Sequence, residues 1–312
     1  MDNLTHSLIG AVLGQAGLKR KTGLAMPALI IAANLPDIDA PCTFYGTQLL
    51  AMRRGITHGP IALVILPLLL AGGLILYDRW QMRRGTRPDA RAPVHRGWLM
   101  ALCYIGTLTH PAFDWLNSYG IRLLEPFSSQ WFYGDVLFIV DPWLLAILGA
   151  GIWISRRREI TKTAKPLRPA RLAIGAAGGY VVLNLLISVF VVPLYYDGPS
   201  KIAVSPVPVA FWRREIHTRN DGYMWKVKPP ERYGRWDVSI FDLELNEVDL
   251  GPTNMADPRI AERAKNNPAA QAFLFWSRMP IAEYSGDNII LKDQRFLQGP
   301  SRGPFTVILT PE

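Results

Sequence analysis

The sequence predicts a mostly α-helical membrane protein, with a polytopic bundle of about six helices in residues 1–195 and a small α+β domain outside the membrane in residues 196–312. Three observations predict this class. The 312 residues are 49% apolar and their mean hydropathy is +0.12, which is high for a soluble chain of this length. The long uncharged segments all precede residue 196, and the basic residues cluster in a few loops.

Six segments are predicted to be membrane helices. Residues 59–77 and 172–195 are long enough, without a charged residue, to cross about 30 Å of hydrocarbon. Residues 4–18, 22–36, 97–116 and 136–154 are shorter or contain polar residues, so they are expected to pack among the other helices. The first segment is not expected to be a cleavable signal peptide, because its basic cluster, residues 19–21, follows the apolar run.

The distribution of charge predicts the orientation of the bundle. The net charge is +9, but residues 196–312 contain 15 basic and 15 acidic residues, so the excess lies in the membrane half. There the basic residues concentrate in residues 19–21, 79–96 and 156–171. This pattern is typical of cytoplasmic loops and argues against a nucleic-acid partner. The N-terminus, loops 37–58 and 117–135, and the C-terminal domain are then expected on the opposite face.

The C-terminal domain has the pattern of short strands and turns. Apolar and polar residues alternate after residue 196, and the turn sequence Asn220-Asp221-Gly222 indicates a hairpin. Residues 257–278 predict one amphipathic helix, and further strands are expected in residues 281–293 and 304–310.

Residues that can bind a metal ion gather at one end of the predicted bundle. In the orientation above, the following six residues all lie at the outer membrane surface: His6, Asp37, Asp39, His58, His110 and Asp114. His110 and Asp114 are four residues apart on one helix, so their side chains are about 6 Å apart on the same face. The pair can therefore reach one ion, or the carboxylate can orient the imidazole.

These residue types predict a divalent metal site. Neutral imidazoles and ionised carboxylates are ligands for zinc, manganese or iron, and we expect zinc, with manganese as the alternative. Three histidines and three aspartates exceed the needs of one tetrahedral ion, so two ions, or one ion with a base and supporting residues, both stay open. The simpler interpretation is a set of ordinary histidine–carboxylate hydrogen bonds.

Other polar residues have weaker indications of a role. We expect Asp37 to act as the catalytic base or orienting group, and Arg54, with Arg53, to bind an anionic substrate group. Whether Asp135 or Asp141 joins the site is left open. His95 and His217 are expected to be solvated.

Four motifs carry a resemblance to a known family. The strings LTHSLIGAVLG, NLPDID, RGITHGP and THPAFDWLNSYG together resemble the YdjM-type family of bacterial inner-membrane proteins, described as LexA-regulated, membrane-bound, metal-dependent hydrolases. The resemblance covers about residues 1–195. It implies that the six residues named above bind metal or act in catalysis, and that the protein lies in the bacterial inner membrane. The face assigned above to the C-terminal domain from the charge distribution is then the periplasmic face.

The order His, Asp, His, His-x-x-x-Asp is also distantly similar to the zinc-dependent phospholipase C and P1 nuclease fold. That fold has a further histidine and a His-x-x-x-Glu pair, whereas the only later histidine here is His217. A complete three-zinc site is therefore not expected.

The function predicted from these observations is a membrane-embedded metal-dependent hydrolase. It would act at the periplasmic face on a phosphoester or lipid-like substrate, with membrane lipid or another membrane-proximal molecule as its partner. Two alternatives stay open: an ion or proton transporter that uses the same residues, and a non-enzymatic membrane anchor with a structural metal.

Overall fold

A computed structural model describes residues 1–195, 201–220, 222–228, 246–297 and 305–311. The chain divides into two compact units. The first unit contains Met1–Ile38 and Arg54–Leu185, and the second contains Asp39–Arg53 and Leu186–Glu312. The mostly helical class with a small C-terminal sheet region is confirmed.

Seven α-helices lie in the first 195 residues. They are α1 (Asn3–Gln15), α2 (Ala25–Asn34), α3 (Leu49–Met52), α4 (Pro60–Arg83), α5 (Arg96–Trp115), α6 (Pro142–Ile160) and α7 (Arg168–Tyr195). All but the four-residue α3, which was not predicted, overlap the six predicted segments. Short 3-10 helices cover Leu18–Arg20, Leu35–Gln48 and Ile56–His58. In the described part of the chain, α4 and residues Arg168–Phe190 of α7 are the two helical stretches long and apolar enough to cross a membrane. Helix existence was thus predicted correctly, but six separate membrane spans are not shown.

The core of the first unit forms where α2 packs against α1 and α5. Leu29 of α2 and Leu102 of α5 are fully buried in this contact. Glycines let the backbones approach closely, because a Cβ atom at Gly10 would lie 2.6 Å from the carbonyl oxygen of Leu29, and one at Gly106 would lie 2.7 Å from Cβ of Ala32. Small residues at helix crossings have this role in membrane proteins.

The start of α6 differs from the prediction. The segment 136–154 was expected to be helical throughout, but the helix begins at Pro142. Asp141 caps it by accepting hydrogen bonds from the backbone N–H groups of Trp143 and Leu144. A capping aspartate followed by proline at the first helical position is typical of a helix start. The prediction began too early because the apolar residues before Asp141 raised the hydropathy of the segment. The Tyr180 hydroxyl of α7 also donates to Asp141, at 2.9 Å.

The second unit contains two antiparallel sheets and two short helices. The first sheet has the order β1 (Lys201–Pro206), β2 (Arg214–Asn220), β3 (Tyr223–Lys228), β4 (Asn246–Pro252), and the second β5 (Pro280–Ser285), β6 (Asn288–Asp293), β7 (Thr306–Leu309). The expected hairpin joins β2 to β3, with Asn220 paired to Tyr223, while Asp221 of its turn lies outside the described residues.

Two predictions for this unit were wrong. The single helix predicted over 257–278 is divided into α8 (Pro258–Lys265) and α9 (Pro268–Trp276), because Asn267 caps a new helix whose first residue is proline. His217 is not solvated: it lies on β2 and is 2% exposed. His95, by contrast, is exposed and caps α5 by accepting from the N–H of Trp98.

The close approach at Gly106 leads to a first prediction. The added methyl group of Gly106→Ala would meet Cβ of Ala32 and the carbonyl oxygen of Leu29, at 2.7 and 2.9 Å. Overpacking of this kind costs about 1–3 kcal/mol, against a gain of about 1 kcal/mol from the helix propensity of alanine. We expect a lower unfolding temperature in detergent. The control is Gly149→Ala in α6, where a Cβ atom meets nothing within 4 Å; equal effects at both sites would contradict the packing argument.

A second prediction concerns a buried ion pair in the second unit. Nε of Arg295 lies 2.8 Å from Oδ1 of Asp293. Burial alone would raise the pKa of Asp293, but Arg295 and a hydrogen bond from Ser277 outweigh it and lower the pKa from 3.8 to about 2. The folded state therefore favours the carboxylate. Its stabilisation is complete above the ordinary pKa and is lost as the pH falls to about 2.

Asp293→Asn should therefore destabilise the second unit by about 2 kcal/mol near pH 6. The measurement is hydrogen–deuterium exchange of β6 peptides in the full chain, wild type beside variant, at several pH values. The difference in protection should shrink between pH 4 and pH 2, and peptides of α2 and α5 should not change. A difference that stays constant with pH would contradict the assigned pKa.

Candidate metal centre

Four of the six predicted metal ligands converge inside the first unit. Asp37 lies in the 3-10 helix after α2, His58 in the 3-10 turn before α4, and His110 and Asp114 on consecutive turns of α5. One ligand atom from each of the four lies within 4.8 Å of all the others. The three residues other than Asp37 are fully buried, and Asp37 is 6% exposed.

Five of the six distances between these four atoms are close to the edges of a tetrahedral metal site. Nε2 of His58 lies 3.1 Å from Nε2 of His110, and each nitrogen is 3.5 Å from Oδ2 of Asp114. Oδ1 of Asp37 is 3.9 Å from the first nitrogen and 3.7 Å from the second. The corners of a tetrahedron with edges of about 3.5 Å lie about 2.1 Å from its centre, which is the usual zinc–nitrogen or zinc–oxygen distance.

Hydrogen bonds orient both imidazoles toward this centre. Nδ1 of His110 lies 2.7 Å from the carbonyl oxygen of Ala33. Because a carbonyl can only accept, Nδ1 carries a proton, and Nε2 is the ring nitrogen that faces the centre, where it can offer a lone pair to an ion. Nδ1 of His58 is hydrogen-bonded to the hydroxyl of Thr57, at 2.9 Å. Outer contacts of this kind fix the tautomer and direction of metal-binding histidines.

The two Nε2 atoms face one another at 3.1 Å. A metal ligand needs a free lone pair, so for both nitrogens to hold an ion His58 would carry its proton on Nδ1, which faces the hydroxyl of Thr57.

His6 lies beside the four residues but is not one of them. Its ring stacks on that of His110, with centroids 3.8 Å apart and planes inclined by 18°. Nε2 lies 3.3 Å from Oδ1 of Asp114, and Nδ1 has no hydrogen-bond partner among the described residues although the side chain is fully buried. A buried ring nitrogen without a partner is costly unless it serves a ligand.

Arg54 contacts the carboxylate of Asp114 at the other oxygen from His6. Its Nε lies 3.0 Å from Oδ2 of Asp114, and its Nη1 donates to Oδ1 of Asn117 and the carbonyl of Gly120. The guanidinium also stacks over the Tyr119 ring, and the residue is 5% exposed. The sequence predicted that Arg54 binds an anionic substrate group. Its burial and contacts favour a role in positioning Asp114.

The remaining candidates have other surroundings. Asp39 belongs to the second unit, where its Oδ1 lies 3.6 Å from Nε of Arg53. Asp141 caps α6 and accepts from Tyr180. Asp135 has a left-handed backbone, with φ of 54°. None of these residues is among the four that converge in the described part of the chain.

The residues of the centre fit a divalent ion. Two histidines with oriented Nε2 atoms and two carboxylates form the donor set that zinc and manganese accept, and the unpartnered Nδ1 of His6 lies next to it. Sequence reasoning missed the carbonyl of Ala33 and the hydroxyl of Thr57, which orient the ligands. The role of Thr57 could have been predicted, because it directly precedes His58. The contact with a backbone carbonyl could not, because every residue has one and the sequence does not show which carbonyl lies near an imidazole.

Two helices are long and apolar enough to span a bilayer. A candidate metal centre lies near the ends of helices in the same unit. Both features fit a membrane protein with a buried polar site. Residues 1–195 match the model of the YdjM inner membrane protein family, and the chain belongs to this family. The resemblance noted from the four motifs is thus confirmed. Searches of curated proteins and of solved structures gave no match.

Proposed function

We propose that this protein is a metal-dependent hydrolase embedded in the bacterial inner membrane. Its substrate would be a phosphoester or a lipid-like molecule at the periplasmic face. The observation that carries the proposal is the convergence of Asp37, His58, His110 and Asp114, with both histidines oriented by hydrogen bonds. A divalent ion, zinc or manganese, is the proposed cofactor, as one ion or two.

The proposed membrane arrangement is a six-helix bundle. The spans α4 and α7 are supported by length and hydropathy, and α4 exposes apolar side chains such as Leu69 and Leu76 to its surroundings. Helices α1, α2, α5 and α6 would complete the bundle by packing among these spans. The basic loops would face the cytoplasm. The metal centre, at the other ends of α4 and α5, would then face the periplasm together with residues 196–312.

The residues of the centre have separate proposed roles. His58, His110 and Asp114 would hold the ion, which supplies Lewis acidity and a nucleophile at neutral pH when bound. Asp37 would complete the site as a ligand or act as the base. Its oxygen lies farther from the two imidazole nitrogens than the oxygen of Asp114 does. Asp37 is also the one residue of the four with exposed surface.

Two neighbouring residues would support the ligands. Arg54 would fix the direction of Asp114 through its contact with Oδ2. His6 would provide a nitrogen for a second ion or for proton transfer, since its Nδ1 is unpartnered.

The proposed substrate class follows from depth and chemistry. The centre lies near the ends of helices, and in the proposed arrangement this would be the depth of lipid headgroups and their phosphodiesters. Histidine and aspartate ligands around zinc or manganese are the usual machinery for hydrolysis of phosphoesters. An ion pathway would need polar residues through the middle of several helices, whereas the four converging residues and the adjacent His6 lie near the ends of helices.

The first test of the proposal is metal content. Detergent-purified wild type, dialysed against metal-free buffer, should retain at least one equivalent of zinc or manganese by mass spectrometry, and His110→Ala should retain none. The matched control is His95→Asn, since His95 is exposed and asparagine preserves the helix cap. Equal metal in wild type and His110→Ala would contradict the proposed centre.

The second test is turnover. Metal-loaded protein should hydrolyse an artificial phosphodiester or release phosphorylated headgroups from phospholipid. His58→Ala and Asp114→Ala should lose about 100-fold or more, since catalytic groups of this kind contribute at least that much, and His95→Asn should be unaffected. Full turnover in the two alanine variants, or its absence in the loaded wild type, would rule out the proposed activity.

A further inference from the structure

The loops at the end of the first unit opposite the metal centre are held together. The backbone N–H of Gly23 donates to the carbonyl of Pro93 at 3.0 Å, and the N–H of His95 donates to the hydroxyl of Thr22 at 2.7 Å. Arg171 donates to the carbonyl of Ala16 at 2.9 Å. These bonds join the connections α1–α2, α4–α5 and α6–α7. The end lies about 36 Å from the metal centre along the 24 residues of α4.

This end has a large uncompensated positive charge. Residues 19–21, 78–96 and 156–171 contain 16 basic and 3 acidic residues. Asp78 pairs with Arg87 and Arg91, and Glu159 pairs with Lys19 and Arg156. Among the residues that the structure describes, the other 12 basic residues have no carboxylate partner. At the opposite end of this unit, Arg54 and Arg122 each pair with a carboxylate.

Three of the unpaired cations lie over exposed tryptophans near helix ends. Nζ of Lys21 is 4.7 Å from the Trp98 ring centroid, Cζ of Arg84 is 4.7 Å from that of Trp80, and Cζ of Arg157 is 5.6 Å from that of Trp153. The three indoles, on α5, α4 and α6, are 39%, 46% and 62% exposed. Tryptophan is enriched at the level of lipid headgroups, where its apolar ring and polar N–H are both accommodated.

We propose that these three cation–tryptophan pairs form a binding site for anionic phospholipids, which we call the basic collar. The ends of α4 and α7 that carry Arg83 and Arg168 lie at this end, so a bilayer crossed by these helices has its surface here. A phosphodiester without a compensating amine fits the charge. Guanidinium and ammonium groups would bind the phosphate, and the indoles and exposed apolar side chains of α4 would contact the glycerol and acyl chains. The proposal is independent of the metal centre.

A zwitterionic headgroup is a poorer match for the collar. Its own cationic group would face the unpaired arginines and lysines, whereas phosphatidylglycerol or a similar anionic lipid adds only negative charge. Each basic residue near an anionic membrane surface strengthens binding by about fivefold. The collar should therefore concentrate anionic lipid around the protein, and added salt should weaken this enrichment.

Tryptophan quenching by brominated lipids tests the proposal. The full-length protein is reconstituted in phosphatidylcholine vesicles with a minor fraction of either brominated phosphatidylglycerol or brominated phosphatidylcholine. Wild type should be quenched more strongly by the anionic lipid at equal fraction, and the difference should fall at high salt. Equal quenching by the two lipids would overturn the proposal, including the case in which the charge serves an acidic protein partner.

Variants separate charge from structure. The triple variant Lys21→Gln, Arg84→Gln, Arg157→Gln should lose most of the preference, at least fivefold, with an unchanged unfolding temperature because all three side chains are exposed. Arg84→Lys with Arg157→Lys should keep the preference. The control is Arg259→Gln, which removes an exposed arginine over Tyr284 in the second unit. Retention of the preference by the triple variant, or its loss in the lysine variant, would overturn the assignment.

Discussion

The buried carboxylate of Asp114 needs charged and hydrogen-bonding partners, and several segments of the first unit meet around it to provide them. A fully buried anion costs several kcal/mol unless charged partners and hydrogen bonds surround it. Here Arg54 approaches one oxygen, His6 and the amino group of Met1 approach the other, and two further histidines lie 3.5 Å away. The ends of α1 and α5 and the turn before α4 are therefore fixed around one acidic group.

Small residues connect the helix packing to the chemistry of the centre. Gly106 lies one turn before His110 on α5. It lets α2 approach so closely that a Cβ atom at position 106 would overlap with α2. That approach brings the Ala33 carbonyl, at the last turn of α2, to 2.7 Å from Nδ1 of His110. The carbonyl has no helical partner because it belongs to the last turn. One helix terminus thereby gains a donor, and one imidazole gains a defined tautomer.

The sequence was informative where the physical signal is local or summed over a long segment. Hydropathy located α4 and α7, and the bias of charged loops indicated that residues from four segments would meet at one end. It did not distinguish Asp39 from Asp37, and only Asp37 is among the four converging residues in the described part of the chain. The two aspartates lie in a 3-10 helix, where each residue turns by about 120°, so side chains two apart point in different directions. The sequence pattern of the motif does not show this helix type.

Two further errors have related causes. The start of α6 was placed too early because apolar residues 136–140 raised the hydropathy of a stretch that is not helical, although Asp141-Pro142 was a visible helix start. His217 was judged by its residue type alone, but its strand places it in the interior of the second unit. The burial of one side chain in a sheet depends on pairing with distant strands, which composition does not reveal.

The segment Asp39–Arg53 has a consequence for modularity. It is bounded on both sides by residues of the first unit, yet it belongs to the second, where α3 packs against α9. The chain therefore passes between the units three times, and two of the crossings lie between Asp37 and His58. A shorter homologue that ended after α7 would have to cover this segment by other means. Loss or gain of the C-terminal unit in evolution would thus require a compensating change in the stretch of chain that connects two candidate ligands.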